Sequence, residues 1–274
     1  MRSRPALLTI WTVVIIVVLY VPILAMMVMS FNDSRFGTLP FEFTLKWYAE
    51  LTPTNPLIQA TYTSIQLSIL VAGTCVVVGT LLSLWLARPG TPWLRNAVNS
   101  SLLATVTIPI LILSVAILGI ANRLGLGQSV TSLWLGCTVV SLPYVVFVVS
   151  ARIASLDPAL LNASRSLGFG PFQTFLRVTL PLIRSAVLAG ALMAFVTCFN
   201  NFAVQLFLAP LGVQTLPVNI YAQTRVGISP DINAVSTLTI LVLIILVVVL
   251  QILSGNAAKV VSGTGPSGTG KETR

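Results

Sequence analysis

Residues 157–181 read DPALLNASRSLGFGPFQTFLRVTLP, and this stretch decides how the rest of the chain is interpreted. Asp157 followed by Pro158 is typical of a helix N-cap and a first helical residue, because proline fits where the backbone amide needs no partner. Good helix formers then continue to Leu167, and Gly168 supplies a helix stop. The stretch therefore predicts a short helix that ends at a glycine.

A second short helical stretch begins at Pro171, and we expect it to end before Leu180-Pro181. The two stretches form a helix–glycine–helix element inside a segment that we name the inner loop, residues 153–183. One face of this element suits docking to a soluble partner, because it carries small and polar side chains: Asn162, Ser164 and Arg165.

Long apolar runs lie on both sides of the inner loop. A helix that crosses the hydrocarbon core of a membrane needs about 20 mostly apolar residues. Runs of that length predict six transmembrane helices, roughly Leu7–Met29, Ile65–Leu86, Leu102–Ile120, Val130–Val149, Ala186–Leu208 and Ala234–Leu253. Pro22, Pro109 and Pro143 fall inside these runs, where neighbouring helices can satisfy the freed carbonyls. The first run exceeds the about 7–15 residues of a signal-peptide core, and no small-residue cleavage site follows, so we expect an uncleaved anchor.

The composition also indicates a membrane protein. The 274 residues are 56% hydrophobic and 8% charged, and the mean hydropathy is +0.97. A soluble domain carries about a quarter charged residues. A chain with so little charge would expose large apolar patches in water and aggregate. We therefore expect an all-α membrane protein.

The net charge of +9 has a topological meaning rather than a nucleic-acid one. The basic residues stand singly or in pairs between apolar runs and form no basic stripe, so no nucleic-acid partner is expected. With the N-terminus inside, eleven Lys and Arg residues fall on the inner side and four on the outer side. Positive residues accumulate on the cytoplasmic side of membrane proteins. Both termini are therefore predicted to be cytoplasmic.

The chain offers no catalytic or metal-binding constellation. It contains no histidine, and Cys75, Cys137 and Cys198 stand far apart inside apolar runs. Neither a metal site, a cofactor nor an enzymatic activity is expected. The stretch Gly265–Glu272 nearly spells a phosphate-binding loop, but the strand before it and the helix after it are missing. We interpret residues 254–274 as a flexible cytoplasmic tail.

The longest outer connection runs from Phe31 to Gln59 and is polar and aromatic. Trp47 and Tyr48 are placed where an interfacial aromatic belt would lie, which favours lipid anchoring. Contact with an external partner remains the alternative.

The inner loop resembles the EAA loop of ABC importer permeases. The family pattern is Glu-Ala-Ala, three residues, Gly, nine residues and Ile-x-Leu-Pro. Asn162-Ala163-Ser164, Gly168 and Val178-Thr179-Leu180-Pro181 match it at every spacing and lie between the fourth and fifth predicted helices. Asn162 stands where the family usually has Glu, and Ser164 where it has the second Ala. The resemblance implies an ATPase-coupling loop, with these residues: Asp157, Asn162, Ala163, Ser164, Gly168, Leu180 and Pro181.

Two outer stretches resemble the spermidine/putrescine permeases, in the order of the second permease subunit of that family. They are Ser30–Gly37 with Lys46-Trp47-Tyr48, and Leu216–Tyr221 followed by Arg225–Ala234. In the second stretch, Ser229 is expected to cap a helix that begins at Pro230. The resemblance implies the type I importer permease fold. It divides the chain into residues 1–58 (first helix and outer loop), 59–253 (five helices) and 254–274 (tail).

Three amides near the end of the fifth predicted helix are candidates for the solute pathway: Asn200, Asn201 and Gln205. Polar residues inside a membrane are costly and therefore mark function. The polyamine permeases bear carboxylates at about this point, whereas this chain has amides. Hydrogen bonding between helices is the alternative role of these amides.

The resemblance implies a permease subunit in a bacterial inner membrane, most simply one for polyamines. Its implied partners are a second permease subunit, two copies of a cytoplasmic ATPase, a periplasmic solute-binding protein and membrane lipid, with ATP hydrolysis by the separate subunit. An importer for another small solute, such as an amino acid, an opine or a phosphonate, stays open. So does a channel or a membrane scaffold.

Overall fold

The computed structural model describes residues 5–34, 40–88, 90–225 and 230–261. These residues are almost entirely helical, and their β pairing is one isolated bridge between Asn32 and Phe43. The helices are α1 (Pro5–Met29), α2 (Lys46–Ala49), α3 (Pro56–Ala87), α4 (Pro92–Thr107), α5 (Ile110–Arg123), α6 (Val130–Ala154), α7 (Pro158–Ser166), α8 (Pro171–Thr174), a π turn (Phe175–Thr179), α9 (Leu180–Phe199), α10 (Phe202–Leu208), α11 (Leu216–Thr224) and α12 (Pro230–Val261). The predicted all-α class is confirmed.

Five helical segments in the described part of the chain are long and apolar enough to cross a membrane: Leu8–Met29, Pro56–Ala87, Val130–Ala154, Pro171–Phe199 and Pro230–Val249. A sixth crossing exists if α4 and α5 together count as one span. Pro22 and Pro143 lie inside helices, as predicted.

The third predicted helix is interrupted. The axes of α4 and α5 differ in direction by 118° across the break at Ile108 and Pro109. Ile108 has an extended backbone (φ −67°, ψ 133°), which is the conformation that a residue before proline prefers. Pro109 therefore ends a helix here instead of bending one.

The fifth and sixth predicted helices have different bounds in the structure. The helical run that corresponds to the fifth predicted helix begins at Pro171 and ends at Phe199, and α10 is a separate short helix. The sixth, α12, begins at Pro230 as predicted and continues to Val261, so residues 254–261 of the predicted tail are helical. Five stretches that carry sequence predictions lie outside the described residues: 1–4 with Arg2 and Arg4, 35–37, 226–228, the predicted cap Ser229, and 262–274 with the phosphate-loop-like stretch.

One compact unit comprises described residues up to 64 and residues 213–244. Its outer segment has a defined structure, because the Trp47 indole Nε1 donates to the Asn32 carbonyl at 2.8 Å and the hydroxyls of Tyr48 and Ser30 lie 2.7 Å apart. Trp47 is buried. Its ring therefore holds the segment together, and the predicted lipid anchoring by this residue is wrong.

The other unit comprises residues 65–212 together with residues from 245 onward. In it α6 and α9 pack closely, since a Cβ on Gly190 would lie 3.3 Å from the Cα of Val145. Small residues permit such close backbone approach in membrane helices. Ser83 of α3 donates to the Val146 carbonyl of α6 at 3.2 Å. The result is a tightly packed core of three helices, centred on α6.

Candidate functional site

The inner loop begins with a capped helix. The Asp157 carboxylate Oδ1 accepts a hydrogen bond from the Ala159 amide at 2.8 Å, and Pro158 is the first residue of α7. Both features agree with the local structure that the sequence predicts. The cap fixes where the chain turns away from α6.

The same helix ends in a Schellman motif built on Gly168. The Gly168 amide donates to the Arg165 carbonyl at 2.9 Å, and the Phe169 amide donates to the Ser164 carbonyl at 3.2 Å. Gly168 has φ = +82°, in the left-handed region that glycine adopts without a steric penalty. This residue therefore sets the direction in which the chain leaves α7.

Ser164 faces inward. Its hydroxyl lies 2.9 Å from that of Thr174, and both side chains are buried. The pair joins α7 to α8. The prediction that Ser164 belongs to the exposed docking face is therefore wrong, whereas Asn162 and Arg165 are exposed.

The exposed face of the inner loop is more apolar than its sequence indicates. Leu167 is 75% exposed and Phe172 is 71% exposed, and Leu160 and Leu176 are also exposed. Sequence reasoning missed these residues, although a leucine directly before a helix-ending glycine could have drawn attention to the surface. Exposed apolar side chains of this kind are candidates for contact with a protein partner or with the membrane.

The sequence predicts that the second helical stretch ends before Leu180-Pro181, and this prediction is wrong. The chain passes from α8 through the π turn into α9, and the Leu180 amide donates to the Phe175 carbonyl. Pro181 has no amide hydrogen and its ring would clash with the carbonyl four residues earlier. The wider π turn relieves this conflict and keeps Pro181 in the first turn of α9.

Asn200, Asn201 and Gln205 meet at the break between α9 and α10, but in different roles. Asn201 caps α10, since its Oδ1 accepts from the Val204 amide at 3.1 Å. Gln205 is fully buried, and its Nε2 donates to the Cys198 carbonyl at 2.6 Å. Asn200 is exposed. Two amides therefore hold the break, whereas the side chain of Asn200 is exposed next to it.

The chemistry of this site is that of neutral hydrogen-bonding groups. An exposed asparagine presents one carbonyl acceptor and two N–H donors. Among the described residues, no group of three His, Cys, Asp or Glu side chains is arranged to hold a metal ion. Asp231 is the acidic residue of the outer stretch Arg225–Ala234, and it lies in the first turn of α12.

The class of the protein follows from a comparison with known families. The model of one family, the inner membrane components of binding-protein-dependent transport systems, matches residues 79–261. The chain belongs to this family. The matched range includes the inner loop and the α9–α10 break. The protein is thus a multi-pass inner-membrane transport component, and the family is not one of enzymes.

Among curated relatives, the chain is similar to the spermidine/putrescine permease protein PotC of Escherichia coli K12, with 30% identity over 88% of this chain and 91% of the relative. It is 29% identical to the putrescine permease protein PotI of the same strain, over 87% of this chain and 88% of the relative. The resemblance to polyamine permeases that the sequence shows is confirmed.

Solved structures support the type I importer permease fold. A chain of a bacterial alginate ABC importer has a TM-score of 0.69 at 17% identity, over 92% of this chain and 94% of that chain. A chain of the inward-facing methionine transporter MetNI has a TM-score of 0.63 at 18% identity, over 73% of this chain and 95% of that chain. These likenesses concern the fold alone.

Proposed function

We propose that this chain is one of two permease subunits of an ABC importer for polyamines. It forms half of the solute pathway, and its inner loop docks on a cytoplasmic ATPase subunit. A second permease subunit, two ATPase copies and a periplasmic solute-binding protein complete the assembly. The exposed apolar face of the inner loop, presented by a helix with a defined cap and a defined end, is the observation that carries the proposal.

The docking part rests on exposure and rigidity. Leu160, Leu167 and Phe172 offer apolar surface, and neighbouring Asn162 offers an uncharged amide where the family pattern has Glu. Burial of a leucine or phenylalanine side chain contributes about 1.5–3 kcal/mol. A groove on the ATPase would therefore hold the loop mainly by apolar contact, with hydrogen bonds from Asn162 at its edge.

The pathway part rests on Asn200. Its side-chain carbonyl can accept hydrogen bonds from an ammonium group, which loses water when it enters a membrane protein. Asn201 and Gln205 position Asn200 because they fix the helix break on either side of it. Amide acceptors bind a cation less strongly than carboxylates do, and weaker binding favours release after passage.

Transport then follows from two conformations. A loaded binding protein docks outside, ATP draws the two ATPase subunits together, and the inner loops move with them. The permease pair alternates between inward and outward access because each ligand binds one conformation better than the other.

Uptake of labelled putrescine and spermidine by cells with and without this gene tests the substrate. We expect deletion to remove uptake and a plasmid copy to restore it. Unchanged polyamine uptake, in cells from which any second polyamine importer has been deleted, would contradict the substrate assignment and leave the permease class intact.

A second candidate is the same kind of importer for a less cationic solute. The absence of a carboxylate among Asn200, Asn201 and Gln205 favours it. Competition assays separate the two candidates. Unlabelled amino acids, opines or phosphonates at micromolar concentration should lower the uptake of labelled putrescine only if they belong to the true substrate class.

A further inference from the structure

Arg152 lies in the last turn of α6, where its charge fits the positive-inside pattern of the sequence. The structure gives it specific protein partners. Its Nε donates to the Leu182 carbonyl of α9 at 3.1 Å, and its Nη1 lies 3.4 Å from the Ser155 hydroxyl. That hydroxyl in turn donates to the Arg152 carbonyl at 2.8 Å. The guanidinium is therefore held between the end of α6 and the beginning of α9.

These contacts join the two ends of the inner loop, because Arg152 directly precedes the loop and Leu182 is its last residue but one. On one side, α6 is connected to α7 through Ser155–Asp157 alone. On the other side, the chain runs from α8 through the π turn into α9 without a break. The loop is thus joined firmly to α9 and loosely to α6, and the Arg152 bond ties the two helix ends directly.

The parts on either side of these contacts are rigid. Farther along the helix pair, Gly190 packs against Val145, and Val149 and Ile183 have no exposed surface. Within the loop, the Ser164–Thr174 pair joins α7 to α8, and the Arg177 guanidinium lies 5.5 Å from the centre of the Phe169 ring. Arg152 lies where these two parts meet, and its side chain fixes the end of α6 to the start of α9. The three-residue linker alone would let these two helix ends move apart.

We propose that Arg152 is a positioning residue for transport, which makes α6 and α9 follow the inner loop as one body. The proposal rests on the proposed coupling role of that loop. Without the bond from Arg152 to Leu182, the end of α6 separates from the start of α9 when the docked loop moves, and part of the movement is lost before it reaches the packed helix pair. ATP hydrolysis then proceeds with less solute moved for each ATP.

The test uses the complete importer in lipid nanodiscs and proteoliposomes, with putrescine as the probe. For Arg152→Gln we expect putrescine uptake to fall roughly tenfold, and the ATP hydrolysed per putrescine to rise about as much, the size expected for lost coupling. Co-purification of the ATPase should be unchanged, since the docking face is untouched. Arg152→Lys should be intermediate, because Nζ can donate to the Leu182 carbonyl without reaching Ser155 as well.

Arg184→Gln is the matched control. Arg184 is exposed near the start of α9, so its replacement removes the same charge from the same predicted side of the membrane. Wild-type ATP consumption per putrescine in Arg152→Gln, or an equal rise in Arg184→Gln, overturns the proposal. If Arg152→Gln does not accumulate, Arg152→Met, which keeps the aliphatic stem, takes its place with the same expected and contradicting results.

Failure of the proposed function is recognised separately. If the wild-type complex takes up no putrescine, the substrate is wrong, and the readout becomes the distance between spin labels at the end of α6 and the start of α9, measured with and without ATP. We expect ATP to change this distance in Arg152→Gln and to leave it unchanged in the wild type. If the distance behaves alike in both, the proposal is rejected whatever the solute is.

Discussion

Gly168 carries its role through backbone conformation alone. A Cβ at this position would meet no atom within 4 Å, yet φ is +82°. A β-branched residue in the left-handed region costs about 1–2 kcal/mol. We expect Gly168→Val to redirect the chain after α7 and to abolish transport, with normal amounts of protein in the membrane.

Gly170→Ala is the control for that substitution. Gly170 also has open space around it, but its φ of −68° suits any residue. Uptake assays on both variants should therefore separate them. Normal uptake by Gly168→Val would show that the loop tolerates another exit direction and would remove the main support for its coupling role.

Asn200 and Asn201 should respond differently to alanine, although they are neighbours of the same type. Asn201→Ala removes a helix N-cap, which costs about 1 kcal/mol, so the melting temperature of the purified complex should fall. Asn200→Ala should leave the melting temperature unchanged and raise the KM for putrescine. The reverse pattern would show that the pathway role belongs to Asn201 and not to Asn200.

At the level of elements, the buried hydroxyl pair between α7 and α8 offers a double-mutant test. Ser164→Ala introduces the residue that the family pattern has, but it leaves the Thr174 hydroxyl buried without its partner. An unsatisfied buried hydroxyl costs about 1–3 kcal/mol. We expect Ser164→Ala to lower the melting temperature and the added Thr174→Val to restore part of it. Additive losses would contradict the inward role of Ser164.

The apolar face of the inner loop should decide whether the ATPase binds. Leu167→Asp places a charge on the most exposed leucine of this face, which opposes burial in a groove. We expect the ATPase no longer to co-purify with the permease. Leu211→Asp is the control, because Leu211 is fully exposed on a connection between α10 and α11. Equal binding by both variants would place the docking surface elsewhere.

Local signals in the sequence predicted the inner loop well, and tertiary packing explains what they missed. Asp157, Pro158 and Gly168 act through neighbouring backbone groups, so their effects are legible in the sequence. The same residue type behaves differently at Pro109, which ends a helix, and at Pro143, which lies within one. That difference depends on what surrounds each proline. The inward turn of Ser164 depends on Thr174, ten residues away, and periodicity does not reveal it.

At the scale of the whole molecule, the bend between α4 and α5 decides the topology. If the bent pair is one crossing, the described part of the chain has six crossings and its two ends lie on the same side; otherwise it has five. The distribution of Lys and Arg favours six. We expect alkaline phosphatase fused after Gln128 to be active, because that residue then lies outside. A fusion after Arg165, in the inner loop, should be inactive.

An inactive fusion after Gln128 would show that α4 and α5 enter and leave on one face. Both termini could then not be cytoplasmic with the inner loop, and the orientation derived from basic residues would be wrong. The helices themselves and the geometry of the inner loop would be unaffected, since neither depends on the number of crossings.

The burial of Cys75, Cys137 and Cys198 has a practical consequence for site-directed labelling. None of the three side chains is exposed, and buried thiols react slowly with maleimides. A single cysteine introduced at an exposed position should therefore be labelled selectively in the otherwise native chain. Fluorophores or spin probes can then follow the inner loop during ATP turnover without removal of the natural cysteines, whose replacement would disturb the packing around α6.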